Sequence, residues 1–153
     1  MNNNNQRKNQ SGIAVIEFAL VLPILMLLML ATAEFGRAFY QYNTLTKSIR
    51  DGARYLSDNS LNGAGVIELG GTTSTATKNL IVFGNSVGSG TALLDGLSIS
   101  DITITTIDSQ HLKVSASFSY SPIIAAGIPN FGADSQTWNT NYTFQSSTTV
   151  RAL

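Results

Sequence analysis

One apolar segment constrains this chain more than any other feature of its sequence. Residues 13–33 read IAVIEFALVLPILMLLMLATA and contain one charged residue, Glu17, and one proline, Pro23. At ~1.5 Å per residue, a helix of this length spans about 31 Å, close to the hydrocarbon thickness of a bilayer. The sequence therefore predicts a transmembrane helix. A cleaved secretory signal is the alternative, because the ATA at 31–33 fits a signal cleavage site.

The flanking charges predict how this helix is oriented. Arg7 and Lys8 precede it, and residues 1–12 contain no acidic residue. Basic residues favour the cytoplasmic side, so we expect the amino terminus inside the cell and the head outside. Beyond the span, Glu34 and Arg37 are one helical turn apart and are expected to pair. The predicted layout is a basic leader (1–12), a transmembrane helix (13–33), an amphipathic helix that continues the span (34–62) and an extracytoplasmic head (63–153).

Glu17 and Pro23 are unusual in a plain membrane anchor. An ionised carboxylate is costly in lipid, and such residues usually face a partner or mark a functional site. The alternative for Glu17 is a side chain that reaches the headgroups from the first turns of the helix. Pro23 removes one backbone hydrogen bond and favours a kink or a local loosening of the helix.

The residues that follow the span predict a second helical segment. Apolar residues recur there at spacings of three and four, the pattern of one apolar helix face. They are Phe35, Phe39, Tyr42, Leu45, Ile49, Ala53 and Leu56. No proline interrupts residues 24–63, so we expect one continuous helix that ends near Asn59–Gly63. We expect this stripe to pack against the head of its own chain; a contact between subunits is the alternative.

The remaining residues predict a small antiparallel sheet with one short helix. Thr75–Phe83 favours a helix that ends at Gly84-Asn85, and the Gly/Ser-rich residues 86–96 favour a loop. Strands are predicted for the β-branched ITITTI at 102–107, for the alternating residues 112–120, and for one or two strands within Trp138–Val150. An apolar bend is expected at Pro122–Pro129. The predicted fold class is α+β, with a long amino-terminal helix packed on a small antiparallel sheet.

The composition excludes several classes of function. The chain has no cysteine, which excludes disulfides, thiolate metal sites and a cysteine nucleophile. His111 is the single histidine, so the chain cannot form a multi-histidine metal site by itself, and no carboxylate–serine pattern makes it a general base. Nine basic residues balance nine acidic ones, which excludes a whole-chain cationic surface for nucleic acid. We expect no enzyme activity, no metal and no cofactor.

The residues at the start of the span form a recognisable pattern. Gly12 is followed by the four apolar residues 13–16 and then by Glu17-Phe18, with Arg7 and Lys8 upstream. This arrangement resembles the type IV prepilin signature of the tight-adherence (Tad, or Flp) pilus branch. The stretch that continues through Pro23 to the motif GARYLS at 52–57 is similar to the TadE-like family of pseudopilins. In the head, ATKNLIVFGN and the closing SSTTVRAL are similar to the same family.

The resemblance implies a pilin-like structural protein that a prepilin peptidase cuts between Gly12 and Ile13. Glu17 is then the fifth mature residue, and it docks subunits together with Phe18 and Pro23, because its carboxylate neutralises a neighbour's new α-amine. The implied partners are the membrane, the prepilin peptidase, other pilins or pseudopilins and the Tad/Flp assembly platform. The implied location is the bacterial inner membrane, as a single-pass protein, with incorporation into a surface pilus. The alternative is an uncleaved, membrane-anchored protein whose external head is a binding or adhesion module.

Overall fold

The structure is a computed structural model that describes residues 4–123 and 142–153, with side chains from Gly12 onward. Two helices, α1 (Asn4–Asn59) and α2 (Gly71–Phe83), are followed by a 3-10 turn (Ile99–Asp101) and by strands β1 (Ile102–Thr106), β2 (His111–Tyr120) and β3 (Tyr142–Arg151). The strands form one antiparallel sheet in the order β1-β2-β3. The predicted α+β fold class is confirmed. The chain divides into two compact units, Met1–Arg37 and Ala38–Leu153.

The first unit contains the predicted span. Every residue from 12 to 33 is exposed, and the most apolar window of α1 has no buried residue. The helix continues through Pro23, whose ring nitrogen cannot donate a hydrogen bond to the carbonyl of Ala19. Beyond the span, a Glu34 carboxylate oxygen lies 3.6 Å from an Arg37 guanidinium nitrogen, which confirms the expected pair. Among the described residues, α1 is the one helix long and apolar enough to cross a membrane.

The second unit is built around the apolar face of α1 and the inner face of the sheet. The helix contributes the buried residues Leu45, Ile49, Ala53 and Leu56, and β2 contributes Leu112, Val114, Ala116, Phe118 and Tyr120. The β2 residues between them point to the other face, which is polar. The predicted alternation of residues 112–120 is therefore confirmed, because one face of this strand covers a core and the other meets water.

The apolar stripe of α1 is buried only from Leu45 onward. Tyr42 is 41% exposed and makes an edge contact with Phe144 of β3, with ring centroids 5.8 Å apart. Phe39 is 67% exposed and Phe35 is 68% exposed. A helical spacing defines a face, but it does not define the length over which other elements cover that face. The two phenylalanines thus lie on the expected stripe without being buried in a core.

The remaining head elements follow the sequence closely. Helix α2 ends at Phe83 as predicted, and Gly84 takes the left-handed conformation (φ 74°) while its N–H donates to the Leu80 carbonyl. Strand β1 begins at Ile102 because Ser98 and Asp101 cap the 3-10 turn before it, with the Ser98 N–H 2.8 Å from the Asp101 carboxylate. Residues 61–67 follow the end of α1 at Asn59 and hold one isolated bridge between Leu61 and Ile67.

Two predictions fall partly beyond the described residues. The expected bend at Pro122–Pro129 is described only as far as Ile123, and the first part of Trp138–Val150 lies outside the described ranges. The second part of that stretch is a strand as predicted, since β3 begins at Tyr142 and pairs with β2 along its whole length.

The last residues of the chain return to the end of α1. The hydroxyl of Ser57 donates a hydrogen bond to the carbonyl of Arg151, and the Leu153 N–H donates to the Ser57 carbonyl at 3.1 Å. The Ala152 N–H donates to the Gln110 carbonyl at 2.8 Å, and the Ala152 side chain is buried. These bonds join the final turn of α1, the β1–β2 turn and the end of β3.

Candidate functional site

The predicted processing and docking residues lie within the exposed apolar part of α1. Ile13 is 66% exposed and Phe18 is 60% exposed, and Gly12 and Glu17 are exposed as well. Glu17 follows Ile13 by four positions, so the two residues share one face of the helix. Pro23 is ten positions beyond Ile13, about 15 Å along the helix axis. The structure therefore brings Gly12, Ile13 and Glu17 together and leaves Pro23 further along.

Gly12 has no packing reason to be a glycine. A Cβ atom added to it would meet no atom within 4 Å. A glycine inside a helix is also unfavourable by about 1 kcal/mol relative to alanine. Neither packing nor helix stability within the described residues accounts for the residue type at this position.

Glu17 carries a charge on an otherwise apolar surface. Its neighbours Ile13 and Ile16 are exposed, and no described residue pairs with its carboxylate. Thr32, the other polar side chain in this apolar stretch, donates a hydrogen bond to the Leu28 carbonyl at 2.8 Å and is satisfied within the helix. In an apolar environment, a carboxylate is costly unless a cation pairs with it.

The polar side chains of the head show no catalytic arrangement within the described residues. No group of three or more potential metal ligands occurs among them. A shallow groove on the outer face of the sheet is lined mainly by Thr103, Ser115, Gln145 and Ser147, with Lys113 and Asp101. These hydroxyl and amide groups make a solvated surface and lack a base aligned with a nucleophile.

His111 has a partner that the sequence analysis did not identify. Its Nδ1 lies 2.9 Å from each carboxylate oxygen of Asp108, and both side chains are about half exposed. Asp108 also accepts the backbone N–H groups of Gln110 and His111, each at 2.8 Å. The bond from the Gln110 N–H, followed by that from the His111 ring, lowers the pKa of Asp108. The signal for this pair is the i, i+3 spacing of Asp108 and His111 between two predicted strands, and the pair closes the β1–β2 connection.

The motif GARYLS at 52–57 has a structural role in this chain. A Cβ atom on Gly52 would lie 2.7 Å from Cδ1 of Ile81 and nearer still to its Cγ1, so glycine lets α2 approach α1 here. Ala53 and Leu56 are buried in the core, and Ser57 binds the last residues of the chain. These contacts join residues that are distant in sequence, so the motif by itself did not predict them.

Comparison with known proteins identifies the segment that carries these residues. Residues 12–54 match the family model described as TadE-like protein. Neither the curated proteins nor the solved structures gave a match. The matched residues begin at Gly12 and lie entirely within α1, so the head stretches that resemble the family fall beyond the match. The predicted resemblance is confirmed over residues 12–54, where the chain is similar to TadE-like proteins.

Proposed function

We propose that this protein is a minor pilin or pseudopilin of a Tad/Flp pilus system, a structural component of pilus assembly and surface adherence. The observation that carries the proposal is the family match over residues 12–54, since the TadE-like family is a structural family related to Tad pili. The exposed apolar surface of the same segment supports it, because such a surface needs lipid or other subunits around it.

The protein is a single-pass protein of the bacterial inner membrane, with its amino terminus in the cytoplasm and its head outside. The apolar helix fits such an anchor. Arg7 and Lys8 support this orientation, because basic residues that flank a span are retained on the cytoplasmic side.

A prepilin peptidase removes residues 1–12, so that Ile13 becomes the amino terminus. Packing within the chain does not explain the glycine at position 12, because an added Cβ atom would meet no atom within 4 Å. A peptidase with a close-fitting site beside the scissile bond would explain it, and this supports the proposed cleavage. The start of the family match at Gly12 agrees with this position.

After cleavage, the new α-amine of one subunit pairs with Glu17 of a neighbour. An amine and a carboxylate that are both costly in an apolar phase stabilise each other there. Each subunit carries both groups, an α-amine at the end of the helix and a carboxylate one turn further along. The contact between two subunits is therefore heterologous, and it repeats from subunit to subunit in a row. Phe18, exposed beside Glu17, supplies apolar contact to the same neighbour. Pro23 loosens the helix six residues beyond Glu17, which helps the helices of the two subunits to pack.

The test is the amino-terminal residue of protein recovered from cells in which the pilus system is active. Mass spectrometry is expected to find a chain that begins at Ile13. Gly12→Asp is expected to leave the longer precursor, because a charged side chain cannot enter a close-fitting position beside the scissile bond.

Gly36→Asp is the matched control for this variant. Gly36 is a second glycine of α1 with no atom within 4 Å of an added Cβ, so the same substitution there makes the same change of charge and volume. We expect Gly36→Asp to be cleaved like the parent chain. Intact residues 1–12 in the parent protein would contradict the proposal and favour the uncleaved anchor with an external binding or adhesion module.

A further inference from the structure

The proposed cleavage site lies inside a continuous helix. Helix α1 runs from Asn4 to Asn59, so the residues on both sides of the bond between Gly12 and Ile13 are helical. In this geometry the Ile13 N–H donates to the carbonyl four positions earlier, and the Gly12 carbonyl accepts from the N–H four positions later. Proteases cut backbone that has opened locally, because a closed helix keeps its peptide groups in its own hydrogen bonds. The scissile bond therefore has to leave the helix before it is cut.

The residues before this bond form a weak helical segment. Residues 4–12, which we call the opening segment, read NNQRKNQSG. Asparagine, serine and glycine all favour a helix less than alanine does. The opening segment contains no acidic residue, whereas Arg7 and Lys8 put positive charge near the amino-terminal end of α1, where the helix dipole disfavours it. Both features lower the free energy that is needed to open this part of the helix.

The helix becomes harder to open directly after the opening segment. Residues 13–16 read IAVI, and they are exposed, as are all the residues that follow them up to residue 33. In lipid, no water replaces a broken backbone hydrogen bond, so an apolar helix there keeps its bonds closed. The bond between Gly12 and Ile13 thus joins the last residue of the weak segment to the first residue of the apolar one.

We propose that the peptidase cuts after Gly12 because α1 opens along the opening segment and the apolar helix stops the opening there. The inference rests on the proposed cleavage and adds how the bond becomes accessible. Asn5, Asn9 and Gly12 are positioning residues in this scheme, since they weaken the helix without taking part in the chemistry. Gly12, the weakest helix former of the segment, then has a role besides fitting a close site in the peptidase.

Recognition of side chains in the opening segment is the alternative, and substitutions by alanine and by glycine separate the two explanations. Both substitutions remove the amide group of an asparagine. Alanine strengthens a helix and glycine weakens it, and the two differ by about fivefold per residue in the helix equilibrium. Asparagine lies between them. A loss of recognition would therefore slow both variants alike, whereas helix opening separates them in a fixed order.

The test uses the full-length precursor in detergent micelles, mixed with membranes that contain an active prepilin peptidase. One variant carries Asn5→Ala with Asn9→Ala, and the other carries Asn5→Gly with Asn9→Gly. Gly12, Ile13 and both basic residues stay unchanged. Two positions give a difference of about 25-fold in the opening equilibrium, and the rate of cleavage follows that equilibrium. We expect the alanine variant to be cut about 10- to 25-fold more slowly than the glycine variant, with the parent chain between them.

Asn43 supplies the matched control. It is an exposed asparagine of α1, 30 positions beyond Ile13, so an opening of the helix there does not reach the scissile bond. Asn43→Ala and Asn43→Gly should both be cut at the rate of the parent chain. Amide hydrogen exchange of Ile13, measured by NMR in micelles without the peptidase, should follow the order of the cleavage rates, slowest in the alanine variant and fastest in the glycine variant.

The outcomes separate this inference from the proposed function. A parent precursor that the active peptidase leaves intact would overturn the cleavage itself. Cleavage of the parent chain with equal rates for the alanine and glycine variants would overturn only this inference, and an equal loss in both would identify recognition of the asparagine side chains. Equal exchange of the Ile13 amide in the two variants would overturn it as well, because the opening segment would then not control the opening.

Discussion

Gly52 sets the distance between α1 and α2, and Gly52→Ala tests this directly. The new Cβ atom would lie 2.7 Å from Cδ1 of Ile81 and closer to its Cγ1, which is far inside normal contact. The Thr77 carbonyl oxygen, at 3.5 Å, is at an ordinary distance. Either the Ile81 side chain leaves its position or α2 moves away from α1. Both changes disturb a core in which Ile81 is fully buried.

Two opposing effects determine the size of the change. Overpacking of a well-packed core is unfavourable by about 1–3 kcal/mol. Alanine in place of glycine inside a helix is favourable by about 1 kcal/mol. We expect a net loss of about 1 kcal/mol in the free energy of unfolding. For a head of this size, the loss lowers Tm by about 3–6 °C.

The assay is thermal unfolding of the full chain in detergent micelles, followed by near-ultraviolet circular dichroism. Gly36→Ala is the matched control, because no atom lies within 4 Å of the added group, and it should leave Tm unchanged or slightly higher. The decisive measurement places Gly52→Ala in an Ile81→Ala background, which removes both close atoms. Ile81→Ala alone is expected to lower the free energy of unfolding by about 2–5 kcal/mol. The stability of that variant is the reference for the double variant.

In that background, Gly52→Ala should change sign and stabilise the head by up to about 1 kcal/mol. An equal loss of stability in both backgrounds would refute the reasoning, because the contact with Ile81 would not be its cause. A rise in Tm for the single variant would refute it as well.

Three further predictions concern other parts of the chain. Glu17→Leu should keep or improve membrane insertion, by about 2–3 kcal/mol on insertion scales. Cleavage should be retained, while crosslinking to other pilus subunits and surface adherence fall sharply; normal assembly at matched expression would favour a plain anchor. Protease added to spheroplasts should remove a tag placed after Leu153, and a protected tag with digested lysed controls would contradict the orientation. Because the pKa of Asp108 is lowered in the folded head, its stabilising contribution is present at neutral pH and is lost as pH falls through that lowered value. The difference in Tm between the parent and Asp108→Asn should therefore shrink as pH falls below the ordinary Asp pKa of about 3.9, and a difference that stays constant there would contradict it.

Local periodicity was sufficient to predict most of the elements. The unbroken apolar and amphipathic pattern gave the end of α1 within the expected residues, and strict alternation gave the inner face of β2. Gly84 marked the end of α2, but the helix begins at Gly71, four residues before the expected Thr75, and no side-chain hydrogen bond caps this start. These features depend on neighbours in sequence, which a pattern can record.

Features that depend on distant neighbours were not predictable in the same way. Gly36 and Gly52 look alike in the sequence, yet only Gly52 faces another helix. Phe39 and Leu45 belong to the same stripe, but only Leu45 is covered. For the candidate site, Glu17 stood out as the one charged residue of the apolar segment, and the role of Gly12 came from the resemblance. The structure adds their exposure and the absence of a described partner for Glu17.

The bond between Ser57 and Arg151 also sets an order of events during synthesis. Its partners are 94 positions apart, so at ~5–20 residues per second the ribosome needs about 5–19 s to pass from one to the other. During the first part of that interval, Leu45, Ile49 and Leu56 of the newly made helix lack the core residues that β2 supplies. A chain that stalls or is cut before His111 keeps this apolar face open, and we expect quality-control proteases to recognise such chains by it.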